Sequence, residues 1–385
     1  MIWVLVLEMD LGLLLHSIRC GLVAKPYQQL SKNNFTDYFM SIFSNPEFDN
    51  HEGVYSFADP SCLMRCFIAV HSTKMGPASG GTRFWTYVSD EEALTDALRL
   101  SKAMSYKNAL AGIPLGGGKG VIMKPEENFK RKDLFTAYGK AIDKVGGRYI
   151  TAEDVGVSPE DMQTIKAETH YVAGLEEGIA ASGDPSPHTA DGVLRGMEEA
   201  VKHKIGIEGL GGITVAIQGL GHVGYDLARR LHNEGAHLIV ADINKYLTRK
   251  AKEEFNATIV SIDQIHAQEA DIFSPCALGG SINSDTLPDI QAYIIAGAAN
   301  NQLFDNSIGT KLLKQGILYC PDYVINAGGI INVASEISGH YDLSWVDGKI
   351  DKIRSNLKEV FDQSARSRTP TNEVADSMAR AMLSK

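Results

Sequence analysis

Cysteine is scarce. Five residues among 385, an odd number in a long chain, exclude a disulfide-built framework. Cys62 and Cys66 have no second Cys or His pair at a zinc-like spacing, so no metal site is expected, the thiols read as reduced, and the compartment as cytoplasmic. An excess of positive charge is also missing: 37 Lys and Arg face 47 Asp and Glu, a net charge of −10, which speaks against a nucleic-acid surface. Low-complexity and single-sign tracts are absent. The apolar opening Met1–Leu7 has no basic residues before it and is broken by Glu8, Asp10 and Arg19, so neither an export signal nor a membrane span is supported. Residues 1–39 are expected to be an extension outside the core. At 44% hydrophobic and 22% charged, the chain is an ordinary globular composition with room for two domains.

Glycine is plentiful and clustered. Gly116-Gly117-Gly118-Lys119-Gly120 precedes the apolar run Val121-Ile122-Met123, which puts an amine at the lip of a sheet. A phosphate loop would need glycine at Ile113 and Ser or Thr at Gly120, so that reading fails. Either a catalytic amine on a strand or a surface lysine after a glycine turn fits the stretch alone.

Arg65–His71 and Thr82–Val88 read as two strands around a turn at Gly76–Gly81. Ser89 and Glu92 open a helix expected to end near Lys107, where the lysine either caps the helix or binds a ligand. A second helix spans Leu134 to Val145 and closes at Gly146-Gly147. A strand at Arg148–Ala152 then leads to Asp154, which faces a cleft or caps the next turn. From Ala181 the texture changes to a Ser/Pro/Gly stretch, expected to be a hinge before a helix from Ala190 to Lys204.

Beyond it, the strand Ile213–Gln218 ends in Gly219-Leu220-Gly221-His222-Val223-Gly224; a helix and a second strand follow, and Asp242 lies 23 positions after Gly219. This is the complete dinucleotide fingerprint. Gly219 is expected to make the tight turn, Gly221 to admit the pyrophosphate, and Gly224 to permit close packing, with the amides of the following helix, from His222 and Val223, facing the phosphates. Asp242 favours the ribose hydroxyls of NAD and repels a 2′-phosphate, although Lys245 lies nearby. Short strands near 257–260, 271–273, 292–296 and 317–319 continue a doubly wound parallel sheet, and helices occupy roughly 347–366 and 371–383. Asn300-Asn301-Gln302 follows a strand end, where the amides could hold a nicotinamide or satisfy loop backbone.

Tyr106-Lys107-Asn108, the glycine-lysine stretch, Thr151–Gly156, Pro185-Ser186-Pro187, the fingerprint and Pro321–Gly329, in this order, resemble the amino-acid dehydrogenase superfamily, leucine dehydrogenases in particular, over about residues 40–385. The resemblance implies an α/β fold of two domains with a cleft between them. An N-terminal substrate and oligomerisation domain would cover 40–180, a Rossmann domain 181–360, and a C-terminal helix at 361–385 would pack back on the first. It further implies oxidative deamination of an L-amino acid to a 2-oxo acid and ammonia by NAD in a homo-oligomer without membrane or nucleic-acid partners. Lys119 would be the base and acid for water attack, and Asp154 the proton shuttle. Lys107, helped by Asn326 and Gly80, would hold the substrate carboxylate. Thr189 and Asn301 would contact the nicotinamide half. Ile330 and Val333 would line an apolar pocket. Ser79 stands where a bulky apolar residue is usual, which leaves aromatic amino acids and valine as alternatives to leucine. His188 and Asp191 also depart from the family pattern. A 2-hydroxy-acid oxidoreductase would want a His–acid pair and a carboxylate-binding arginine, and no histidine has that context.

Overall fold

The computed structural model describes residues 41–175 and 182–384. The expected extension at 1–39, and the expected domain boundary at 180/181, lie outside them. The chain forms two units, residues 1–45 and 46–385. In the first, Ser41 caps a single 3-10 turn, Ile42–Ser44, by accepting the Phe43 N–H at 3.3 Å.

The second unit contains two sheets. The first comprises β1 (Gly53–Asp59), β2 (Met64–Ser72), β3 (Ala78–Trp85), β4 (Gly116–Met123) and β5 (Tyr149–Glu153) in the order β1-β2-β4-β3-β5. β3, β4 and β5 run parallel, while β1 and β2 are antiparallel. This corrects two expectations. β2 and β3 are not neighbours around a glycine turn, because β4 lies between them, and Gly80 and Gly81 belong to β3 itself. Lys119 is not at the lip of a strand but in the middle of β4, all eight residues of which are buried. The glycines make this possible. A Cβ on Gly117 would stand 2.1 Å from the Ser105 backbone nitrogen, and one on Gly120 would stand 1.9 Å from the Tyr138 hydroxyl. A strand squeezed between helices on both faces needs such residues wherever backbone or a hydroxyl comes this near.

Helix α1 (Asp90–Ala111) starts at Ser89, whose side chain accepts the Glu92 N–H at 3.1 Å, a cap worth about 1 kcal/mol. It runs one turn beyond Lys107 to an αL glycine, Gly112, so Lys107 lies inside the helix instead of ending it. Ala93 and Ala97 pack on the first sheet, while Tyr106, Ala109 and Leu110 join the core of the second half. The other face of the sheet carries α2 (Arg131–Lys144), through Leu134, Phe135, Tyr138 and Ile142, and α3 (Pro159–Lys166), opened by a Ser158–Asp161 capping box.

The second sheet holds β6 (Thr214–Gln218), β7 (His237–Ala241), β8 (Thr258–Ile259), β9 (Ile272–Pro275), β10 (Ile294–Ile295) and β11 (Leu318–Tyr319), all parallel, in the doubly wound order β11-β10-β9-β6-β7-β8. Around it lie α4 (Ser186–Lys204), α5 (His222–Asn233), α6 (Lys245–Phe255), α7 (Ser307–Gln315), α8 (Asp322–Ile325), α9 (Gly328–Ile337), α10 (Leu343–Ser367) and α11 (Thr371–Leu383). α4 begins four residues earlier than its pattern suggested, because Pro187 suits the first turn of a helix, so Thr189 is helical. Asp191 on that helix binds Arg195 at 2.9 Å and Arg230 of α5 at 3.0 Å, which gives this departure from the family pattern a structural role. α11 reaches back to the first sheet: Arg380 donates to the Tyr106 hydroxyl at 2.8 Å, and Lys74 to the Leu383 carbonyl at 2.9 Å. Among the described residues no helix is long and apolar enough to cross a membrane.

Two buried histidines sit behind α1. The rings of His51 and His71 are 4.9 Å apart, and His51 accepts the Asp49 N–H on Nδ1 while its Nε2 faces the Leu98 carbonyl at 3.0 Å. His71 Nδ1 pairs with the Ser105 hydroxyl at 2.8 Å. Burial first, and then His51 as a neighbour, lower the His71 pKa from 6.5 to about 4; burial lowers that of His51 as well, with Asp49 and Lys102 opposing one another nearby. A histidine whose folded pKa lies below its unfolded value contributes full stability above the unfolded value, and that contribution is lost as pH falls toward the folded one. The thermal midpoint is therefore expected to fall between pH 6.5 and 5, before ordinary carboxylates protonate, by an amount corresponding to roughly 2 kcal/mol. Melting curves of His71→Gln across that range should be flatter; an unchanged slope would sink the assignment.

Candidate active site

Four charged side chains, from β3, β4, the end of β5 and α1, lie close together. Lys119 is 5% exposed, and its amine donates to Asp154 Oδ2, just past the end of β5. Arg83 Nε of β3 lies 3.8 Å from the same oxygen, and Arg83 also binds Asp96 at 2.9 Å. Burial would push the Asp154 carboxyl up, but Lys119 and Arg83 outweigh it and hold it below the usual carboxylate range. Lys107 stands near enough to feel both charges. Burial, with Lys119 adding to it and Asp322 and Asp154 opposing, lowers its pKa to about 8.

Lys107 also ties the first sheet's helix to the second sheet. Its amine donates to Asn300 Oδ1 at 3.3 Å, and the same oxygen accepts from Asn326 Nδ2 at 2.8 Å. Asn326 Nδ2 reaches the Ala298 carbonyl as well, at 3.1 Å, so both amide hydrogens are occupied, while the buried Oδ1 has no partner. Asn326 thus shares Asn300 with Lys107, beside the amine expected to hold a substrate carboxylate. Gly80 is closed against β4, where a Cβ would stand 1.9 Å from the Gly118 carbonyl oxygen. Ser79, beside it, is fully buried with an unpartnered hydroxyl. Val333 is buried, with Cγ2 4.0 Å from the Cβ position of Gly174; Ile330, one turn earlier, is half-buried.

At the switch point of the second sheet, Gly219 turns the chain at φ +99° after β6, and a Cβ there would crowd Ala277 at 2.9 Å. A Cβ on Gly224 would meet the Gly219 carbonyl oxygen at 2.1 Å, whereas one on Gly221 would meet nothing within 4 Å. Gly221 caps α5 without a side-chain hydrogen bond, so the first amides of that helix, from His222 and Val223 onward, point into open space. This space continues into a cavity of about 460 Å³ between Leu220, Gly221 and His222 on one side and Asp184 and Ser186 on the other. Open room at one glycine, free helix amides and a sharp turn form a cradle suited to a pyrophosphate. Asp242 accepts the Leu220 N–H and the Asn244 N–H, both at 2.6 Å, so its carboxylate braces the glycine loop. Gly279, after β9, packs against the Asn300 carbonyl oxygen, and Asn301 adopts φ +51° beside it, which links this region to Lys107. Thr189 sits where the N-termini of α4 and α9 converge, its hydroxyl 2.7 Å from the Cβ position of Gly329.

The sequence reading assigned no role to Arg83 or Asp322 and took Asn300 for a nicotinamide or loop-backbone amide, whereas these three are the partners of Asp154 and Lys107. Arg83 and Asp322 were visible only as members of longer motifs, and nothing in the residue pattern signals that Asn300 reaches an amine 193 positions earlier.

Comparison with known proteins shows the family. Residues 54–171 match the model for the Glu/Leu/Phe/Val dehydrogenase dimerisation domain, and residues 238–383 that for glutamate/leucine/phenylalanine/valine dehydrogenase. The chain is 49% identical over 340 residues to a leucine dehydrogenase of Geobacillus stearothermophilus, covering 88% of this chain and 92% of that protein. It is 40% identical over 352 residues to a valine dehydrogenase of Streptomyces coelicolor, covering 91% and 96%. The crystal structure of L-tryptophan dehydrogenase from Nostoc punctiforme superposes with a TM-score of 0.77 at 42% identity, over 87% of this chain and 96% of that one. The chain thus belongs to the Glu/Leu/Phe/Val dehydrogenase family and is an amino-acid dehydrogenase working with a nicotinamide cofactor.

Proposed function

We propose that the protein deaminates leucine and similar branched-chain L-amino acids with NAD, reversibly, in the cytoplasm and as a homo-oligomer. The observation that carries this reading is the buried Lys119–Asp154 pair beside Lys107, in contact through Asn300 with the fingerprint-bearing sheet. Lys107 holds the substrate carboxylate, exchanging Asn300 for it as partner, and Gly80 of β3 is assigned to the same subsite. Asp154 relays to solvent the proton that the α-ammonium must lose and, returned to the anionic form that Lys119 and Arg83 favour, stabilises the positive charge that develops at the substrate nitrogen. The cofactor, when bound, accepts the hydride from the substrate Cα. Lys119 then removes a proton from the water that adds to the iminium carbon and returns it to the departing ammonia. Gly219, Gly221, His222, Val223 and Gly224 receive the cofactor phosphates, Asp242 the adenosine ribose, and Thr189 and Asn301 the nicotinamide half. Asp242 disfavours a 2′-phosphate, which supports NAD over NADP. Residues 40–180 are assigned to the substrate and oligomerisation domain, 181–360 to the nucleotide domain and 361–385 to a C-terminal helix packing back toward the first.

No motif of the sequence supplies an evident charged partner for a substrate γ-carboxylate, which disfavours glutamate. The fully buried Ser79, with its small hydroxyl side chain, favours a second reading in which aromatic amino acids are also accepted. Initial rates with leucine, valine, isoleucine, phenylalanine, tryptophan and glutamate, with NAD and then with NADP, followed by absorbance of the reduced nucleotide, test both. Highest kcat/KM on glutamate, or no reaction with any, would overturn the proposal.

Lys107 supplies a pH signature. Above about 8 its amine loses the charge that binds a carboxylate. The dissociation constant of the 2-oxo acid of leucine, which has no titrating amine of its own, should therefore rise about tenfold per pH unit above that value. In Lys107→Gln the affinity should be weak and flat with pH; a flat profile in the parent enzyme would remove Lys107 from the carboxylate site.

A further inference from the structure

Glu336, near the end of α9, is 9% exposed and follows Val333 by less than one turn. A carboxylate so enclosed needs several donors to hold its charge. Four come from the chain that crosses between the two sheets. Oε2 accepts the Gly174 N–H at 3.0 Å, the Ser182 N–H at 3.1 Å and the Ser182 hydroxyl at 2.6 Å, and Oε1 accepts the Leu175 N–H at 3.3 Å. Asn332, one turn earlier, donates to the Ser182 carbonyl at 3.0 Å and accepts from the Tyr341 hydroxyl at 2.6 Å.

These donors fall on both sides of the crossing. The side before it lies along β5: Ala173 N–H donates to the Thr151 carbonyl at 2.8 Å, and the Cβ position of Gly174 is 3.7 Å from the Ala152 methyl. The side after it leads from Ser182 into α4 within four residues. At its other end α9 begins with Gly328 and Gly329, packed on His188 and Thr189 of α4. α9 is thus a short rod, seated on α4 at its start and fastened to the crossing segment at its end, with Val333 in between and reaching Gly174.

We propose that Glu336 is a positioning residue for the amino-acid pocket: its carboxylate fastens both sides of the interdomain crossing to α9 and so keeps Val333 in register with β5. The proposal rests on the amino-acid dehydrogenase reading above for its kinetic consequence, but not for its structural one. A glutamine can keep an acceptor at Oε2 yet turns a donor toward the Leu175 N–H and removes the charge, while an aspartate keeps the charge and falls short by one methylene.

The test uses the full chain carrying Glu336→Gln, Glu336→Asp or Glu336→Ala. Hydrogen exchange at the Gly174, Leu175 and Ser182 amides should accelerate about tenfold or more in Glu336→Gln, the effect of weakening hydrogen bonds to a charged acceptor. KM for leucine should rise about tenfold, with KM for NAD within twofold of the parent, and Glu336→Asp should recover part of the loss. Unchanged exchange at the three amides would overturn the fastening. Faster exchange with an unchanged KM for leucine, or a parallel rise of both KM values together with a fall in thermal midpoint, would overturn the positioning role. If the parent enzyme fails to oxidise leucine, the substrate reading fails, and the exchange measurement still decides whether Glu336 holds the crossing.

Discussion

A Lys119→Met enzyme is expected to bind reduced nucleotide like the parent while its kcat for leucine falls by about 10³-fold or more, within the upper range for loss of a general acid–base group. Lys119 is buried on a central strand, with Asp154 as its ion partner, so its amine is held where a flexible surface lysine would not be. Methionine fills the same volume without the amine, which separates the chemistry from the packing. In the variant Asp154 loses its strongest positive neighbour and keeps Arg83 at 3.8 Å, so burial should push the carboxyl upward. Lys119→Arg restores a charge beside Asp154 but cannot release its proton near neutral pH, so its kcat should stay low even where its thermal midpoint recovers. Rates within tenfold of the parent in Lys119→Met, measured beside nucleotide titrations by fluorescence, would remove Lys119 from the reaction.

The fingerprint glycines should separate just as sharply. Gly221→Ala is expected to melt within about 1 °C of the parent, because the new methyl meets nothing within 4 Å and the backbone, at φ −64° and ψ −169°, suits alanine. Alanine is a poorer helix cap than glycine by up to about 1 kcal/mol, and the gain from restricting the unfolded chain is of similar size. Yet the methyl occupies the space in front of the α5 amides, so the NADH dissociation constant should rise about 100-fold, the scale of losing two hydrogen bonds to a charged ligand. Gly224→Ala should behave in the opposite way. Its methyl would stand 2.1 Å from the Gly219 carbonyl oxygen, and the helix must move off the strand at a cost of about 1–3 kcal/mol. Calorimetry and nucleotide titration on both variants check the pair; normal NADH affinity in Gly221→Ala would show that the cradle is not the phosphate site.

The second half of the molecule was the more legible in the sequence. A parallel βαβ unit is read locally: the apolar run of β6, the glycine turn, the amphipathic α5 and the run of β7 each declare themselves within about a dozen residues, and their order leaves one handed arrangement. The first half was less so. Strands next to each other in sequence suggested a hairpin, but β4, which arrives only after the 22-residue α1, inserts between β2 and β3. Gly80 and Gly81 read as turn signals, whereas in the fold Gly80 answers the β4 backbone, and Gly117 and Gly120 of β4 answer helices on the two faces of the sheet, which no local window contains.

By itself the sequence determined the α/β class and the dinucleotide-binding half, and its resemblance to a family singled out Lys107, Lys119 and Asp154, which the fold brings close together. Only the tertiary structure decided that Lys119 stands inside a strand, that Asn326 and Lys107 share Asn300, and that Arg83 lies beside Asp154. Periodicity reports which side of an element is buried, but the partner of a buried charge is chosen by distances between segments far apart in the chain, and those exist only once both sheets have formed.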